Sequence, residues 1–380
     1  MEMSAIAPAP AAVQPGFFQR KLPCQIILAT FPLLTVPLVV ALALTTNHSF
    51  LMVYIWLFGL THFVLTLSVY LQSENLRHFR ESGKNIFLYF VVPLVILMGF
   101  YLVGVFQLRA RFPLFAICFL ACIRALDFNH LNRQTFGVYQ LFKARTGLPP
   151  APGTKRAEQA YFYCLTALLY STFLAGGVSP LLLPRRWQSM SALIASPGPM
   201  LLPLGILQAV AALLTAMTAG FGVLSVVLLV RTWNRGGRRT GLAEALGYFG
   251  FQTLAALLAV VSSPLYFAAL ATHYVEYHVL MFPRCFYTPL DESRGLDRWF
   301  AGLRRHRIAF YAFLLTVAGI VMMFTTPAGP GPHPIRFLAV VSIFDGLFVF
   351  HYFVEMLIWK FSDPFYRRSL GSLYFAPRAR

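Results

Sequence analysis

Five of the nine histidines, His62, His130, His273, His278 and His351, fall within or at the end of long apolar runs. An imidazole carried into hydrocarbon is costly, so a histidine in such a run reads as a functional residue whose partner is to be found. Three of the five, His130, His273 and His351, have an acid at helical spacing. His351 and Glu355 are four residues apart and share one helical face, which gives either two metal ligands or one ligand and a carboxylate that orients it. The alternative is an internal polar pair with no ion. In Thr272-His273-Tyr274-Val275-Glu276-Tyr277-His278, a rotation of about 100° per residue puts His273, Glu276 and Tyr277 on one face. His278 lies roughly 140° round from His273, so both imidazoles reach one ion only if the helix widens by a π-bulge; otherwise one binds and the other supports.

His62 stands alone on its run, after Thr61. The densest polar stretch is Arg124-Ala-Leu-Asp127-Phe-Asn129-His130, followed by Arg133 and Gln134. Asp127 is an i, i+3 neighbour of both Arg124 and His130, so an ion pair and a ligand compete as its reading. The expected metal set is His62, His130, His273, His278 and His351, with Glu276, Tyr277 and Glu355 as catalytic or supporting groups. Imidazole with carboxylate suits iron, zinc or manganese. An aromatic-rich apolar setting favours Fe(II), with dioxygen and a lipophilic substrate, over hydrolysis, which would need a water route. Haem is the alternative cofactor, but only His48 and His62 have the spacing of stacked haem ligands on one helix. A proton- or metal-coupled transporter is the other rival; its relay histidines need no bound metal.

The elements that must position these residues follow from composition. Hydrophobic residues make up 58% of the chain and charged residues 12%, and several runs reach the roughly 20 residues that cross a bilayer. The expected fold is all-α, a polytopic helical bundle of about ten spans near 24–45, 49–72, 86–107, 112–130, 158–183, 200–230, 242–262, 263–282, 308–326 and 337–359. A tight turn is expected at Ser262-Ser263-Pro264, and an interfacial helix near 131–146. Residues 1–22 read as a tail rich in Ala and Pro, 23–362 as one membrane domain, and 363–380 as a basic tail.

With the N-terminus inside, 25 of the 31 Lys and Arg fall on cytoplasmic segments. Arg109, Arg111, Arg185, Arg186 and Arg336 fall on the other side, and Arg124 inside a span. That bias is the signature of positive-inside insertion, with both termini cytoplasmic. It also accounts for the formal charge of +18 through headgroups and topology, without nucleic acid. On this topology all five histidines lie on even-numbered spans. His62, His273 and His351 fall at similar depth, and His130 is an outlier at the cytoplasmic end. The five cysteines form no disulfide or zinc pattern.

The His62-Phe63 pair, the closely spaced His273 and His278, and His351 with an acid after it resemble the Brp/Blh family of bacterial membrane carotenoid oxygenases. That resemblance implies histidine-bound iron and oxidative cleavage of an isoprenoid in a bacterial inner membrane. The segment from Asn129 to Gly137 has no counterpart in it, and an early Pro-His-Gly motif is missing.

Overall fold

The computed structural model describes residues 26–29, 33, 37, 55–144, 152–176, 201–234, 239–261, 266–288, 290, 293, 295–325, 335–360 and 363–374. Every regular element among them is helical. We number the helices α1 (Thr61–Tyr70), α2 (Ser73–Phe79), α3 (Gly83–Val105), α4 (Pro113–Ala144), α5 (Thr154–Leu174), α6 (Leu204–Trp233), α7 (Arg239–Val261), α8 (Tyr266–Tyr287), α9 (Gly295–Arg305), α10 (Arg307–Thr325), α11 (Ile335–Ile358) and α12 (Pro364–Tyr374).

Four described helices are long and apolar enough to cross a membrane: Gly83–Val105, Pro113–Ala144, Leu204–Trp233 and Gly241–Val261. On them apolar side chains such as Leu94, Leu114, Leu213 and Val223 face outward rather than into the core, as the lipid-facing side of a spanning helix does. The ten-span count goes beyond these four helices. Most of the expected first span, the 177–200 stretch, the Ser262–Pro264 turn and residues 1–22 lie outside the described residues. Residues 363–380, expected as a tail, begin with α12, which buries Tyr366 and Tyr374.

One boundary differs in a way that matters. The fourth span was expected to end at His130, with a separate interfacial helix after it. Instead α4 runs unbroken for 32 residues to Ala144. Its polar half turns into the protein: Asn132 donates to Thr166 Oγ1 at 2.8 Å, and Gln134 donates to the carbonyl of His273 at 3.1 Å. Polar residues that find partners on neighbouring helices need no water, so they do not end the helix.

Around α1 pack α8, α10 and α11, while α4 packs on α5, α7, α8 and α11. Small residues allow the closest approaches. A Cβ on Gly346 of α11 would stand 2.9 Å from Phe100 of α3, and one on Gly59 would stand 2.9 Å from the Tyr274 ring.

Two π-helical segments, Ile55–Leu60 before α1 and Phe87–Val91 within α3, are stabilised from outside the helix. Pro93 has no N–H to give the carbonyl four residues back, that of Tyr89, and the Tyr70 hydroxyl donates to that carbonyl instead. Before α1, Thr61 Oγ1 donates to the Leu57 carbonyl at 2.5 Å, and the Phe58 carbonyl lies 3.3 Å from His278 Nε2. The widened turn therefore sits just ahead of His62, not in α8, which is α-helical throughout.

Candidate metal centre

Three helices bring four donors together. His62 comes from the first turn of α1, His130 from the middle of α4, and His351 and Glu355 from successive turns of α11. One ligand-type atom from each lies within 4.8 Å of all the others, and among the described residues no other His, Cys, Asp and Glu group does this. All three histidines present Nε2 to Glu355. His62 Nε2 and His351 Nε2 lie 3.4 and 3.5 Å from Oε1, and His130 Nε2 lies 3.3 Å from Oε2.

None of these three Nε2 atoms has a hydrogen-bond partner, although all are buried. Buried polar nitrogens in membrane helices are normally satisfied, so three that are unpaired at one point need an explanation. The chemistry of the donor set supplies one. Neutral imidazole nitrogens and a carboxylate, crowded at spacings too long for good hydrogen bonds, fit around one divalent ion.

The carboxylate is held from behind. Thr66, one turn after His62, donates to Glu355 Oε1 at 3.1 Å, and its oxygen lies 2.5 Å from Tyr277 Oη. A hydroxyl has one proton. With that proton on the carboxylate, Tyr277 must donate to Thr66, which orders the chain Tyr277 to Thr66 to Glu355. Tyr277 also packs edge-on against His62, with ring centroids 4.1 Å apart. Its place is thus behind the ligands.

His130 is fixed by stacking on Tyr352 at 4.4 Å. The Tyr352 hydroxyl donates to Asp127 Oδ1 at 2.8 Å, and Arg124 donates to Asp127 Oδ2 at 3.1 Å. Asp127 therefore holds the tyrosine that holds the histidine. Arg133, from the same polar stretch, points to Met356 instead.

The remaining sequence candidates divide. His273 reaches the site: its ring lies 4.9 Å from His62 and 5.1 Å from His130, and its Nδ1 is buried without a partner. With Asp127, Tyr274, Phe63, Phe348 and Tyr352 it walls a cavity of about 30 Å³ beside the donors. His278 is turned away. Its Nε2 faces Thr61 Oγ1 at 3.0 Å and the Phe58 carbonyl at 3.3 Å, so it contacts the π-helical turn rather than Glu355. Its angular offset from His273 is the reason, because α8 has no bulge to cancel it.

Glu276 is turned away as well. It accepts from Tyr248 at 3.1 Å and from Gln252, both on α7. Although it shares a broad face with His273, its side chain diverges by some 60° toward the neighbouring helix. Of the other four histidines, His78 on α2 pairs with Glu81 at 2.7 Å and stacks on Phe365. His306 is exposed, and His48 and His333 lie outside the described residues.

Thr66, Tyr274 and Tyr352 are the site residues that the sequence reading passed over. Thr66 had a legible signal, its i, i+4 relation to His62. Tyr352 had none beyond adjacency to His351, since a tyrosine in an aromatic-rich span is ordinary. No protein-family model, no curated protein and no solved structure matches this chain.

Proposed function

We propose that this chain is a metal-dependent oxidoreductase of the membrane, holding Fe(II) at His62, His130, His351 and Glu355 and acting on a lipophilic substrate with dioxygen. The observation that carries the reading is the convergence of three partnerless, buried Nε2 atoms on one carboxylate. Zinc or manganese would use the same donors. A porphyrin is poorly served here, because the space beside the donors is about 30 Å³, room for about two water-sized molecules. Ten spans with cytoplasmic termini, in a bacterial inner membrane, remain our reading of the topology on the strength of the loop charges.

Bound at these donors, iron supplies one-electron chemistry and activation of dioxygen. The chain's own side chains do the rest. Thr66 and Tyr277 hold the Glu355 carboxylate in one orientation, and the Tyr352 ring fixes His130. Phe63, Phe348, Leu131 and Leu270 line the cavity and keep bulk water from it. A cavity this small admits a diatomic gas as it stands, whereas a lipid carbon reaches the donors only when an aromatic wall residue rotates aside. An isoprenoid or acyl chain, with no polar groups to satisfy, is the substrate class that such a wall accepts.

Metal analysis of the purified protein beside His62→Ala and His351→Ala tests the proposal. The expected result is near-stoichiometric iron in the wild type and little in either variant. Full occupancy in both variants, or no metal in the wild type, contradicts it.

A further inference from the structure

Helix α9, with sequence GLDRWFAGLRR, is distant from the metal donors and divides its surface three ways. Asp297, Phe300 and Ala301 are buried against the protein. Asp297 accepts from the backbone N–H of Ser73 at 2.9 Å, which satisfies an open amide at the start of α2. Arg304 is on the same side, donating to the carbonyls of Thr288 at 2.8 Å and Arg284 at 3.3 Å. The inner face is thereby fixed by polar anchors on two elements.

The outer surface is split into two flanks. At about 100° per residue, Trp299, Leu303 and Leu296 lie together on one flank, and Arg298 and Arg305 lie together on the other, roughly 100° away or more. Trp299 and Leu296 are 47% and 44% exposed. The Trp299 ring packs edge-on against Phe313 of α10, 4.9 Å away, so the apolar flank continues onto that helix. There Ile308, 88% exposed, begins the outward face. Arg307 lies over the rings of Phe282 and Phe286, at 5.3 and 5.7 Å, with its charge at the exposed end of an aromatic patch. Asp297, the only acid of α9, points inward, so the outward charged side chains of this helix are arginines.

A helix docked in water has no use for exposed Trp and Leu on one flank and arginines on the other. A helix lying along a bilayer surface needs both, with the apolar flank in the acyl boundary and the basic flank at the phosphates. We propose that α9 lies in the membrane interface and that Arg298, Arg305 and Arg307 form a binding surface for anionic phospholipid headgroups. Charge complementarity selects the occupant: a headgroup with net negative charge is preferred over a zwitterionic one by about fivefold per arginine engaged. Trp299, at the border of the two flanks, sits at headgroup depth as interfacial tryptophans do. This assignment does not depend on the metal reading.

The test uses the full-length protein in nanodiscs that carry a small fraction of doxyl-labelled lipid, either phosphatidylglycerol or phosphatidylcholine. Trp299 emission is isolated by subtracting the Trp299→Phe variant. The expected result is severalfold stronger quenching by the labelled anionic lipid. That preference should fall severalfold in R298Q/R305Q, where Arg307 alone remains, and persist in R298K/R305K, and these exposed positions allow the variants to fold. Equal quenching by the two lipids, or an anionic preference unchanged in R298Q/R305Q, overturns the proposal. Absence of quenching by either lipid also overturns it, because α9 would then stand in water with its basic flank turned to a soluble acidic partner.

Discussion

Two buried carboxylates in this bundle have opposite surroundings. Glu158 of α5 is fully enclosed and meets Lys143 Nζ at 2.5 Å and Gln140 Nε2 at 2.9 Å, both from α4. Its charge is countered and its second oxygen occupied, so the cluster is complete within the chain. Glu355 is also buried, yet it faces three imidazole nitrogens that have no partner of their own. Glu276, with Tyr248 and Gln252 donating to it, belongs with Glu158. A polar cluster that closes on itself holds helices together, and one that leaves donor atoms facing a common point is built for something else to occupy that point. The difference separates structure from function without reference to residue type, since all three clusters are built on glutamate.

Substitutions can break that comparison. The largest expected effect is at Glu355: Glu355→Ala should reduce metal content below a tenth of wild type, measured by elemental analysis of purified protein. Glu158→Gln should leave metal content unchanged. Next is Lys143→Met, which strands Glu158 as a buried, uncompensated charge and should cost about 3–5 kcal/mol in detergent unfolding. The folded fraction should keep its full metal complement, which distinguishes the two carboxylates in one experiment.

Thr66→Val removes the hydroxyl that aims Glu355 and should weaken metal affinity by about 10–100-fold, as loss of a group that orients a ligand does. Thr66→Ser should restore it, and a competition titration with a chelator reads both. The smallest effect is at His278. His278→Ala leaves the π-helical turn before α1 short of one donor, although Thr61 still lies 3.3 Å from the Phe58 carbonyl. The cost should fall at the low end of the ~1–3 kcal/mol range for an under-satisfied buried group. Metal stoichiometry should not move, and a loss of metal here would return His278 to the ligand set.

The sequence made parts of this arrangement legible. The i, i+4 spacing of His351 and Glu355 is enough to put both on one face, and both reach the cluster. The roughly 140° offset of His278 from His273 already separated the two, and in the structure they face different neighbours. His130 was misplaced because a run of polar residues looked like the end of a span. Asn132 and Gln134 instead find partners on neighbouring helices, a tertiary fact that no local pattern carries. The same limit applies to Glu276. Its angle allowed it to face either the donor cluster or α7, and only the position of Tyr248 and Gln252 decides. The π-helical turn ahead of His62 is only partly local, because beside the Thr61 hydroxyl it is contacted by His278, more than 200 residues away.

X-ray absorption at the metal edge of the purified protein, wild type beside His130→Ala, tests the central claim most directly. We predict a first shell of nitrogen and oxygen only, with the outer-shell scattering of about three imidazoles, falling to about two in the variant where metal remains bound. An imidazole signal unchanged by loss of His130, a porphyrin or sulfur shell, or a wild-type protein that binds no metal would contradict the account.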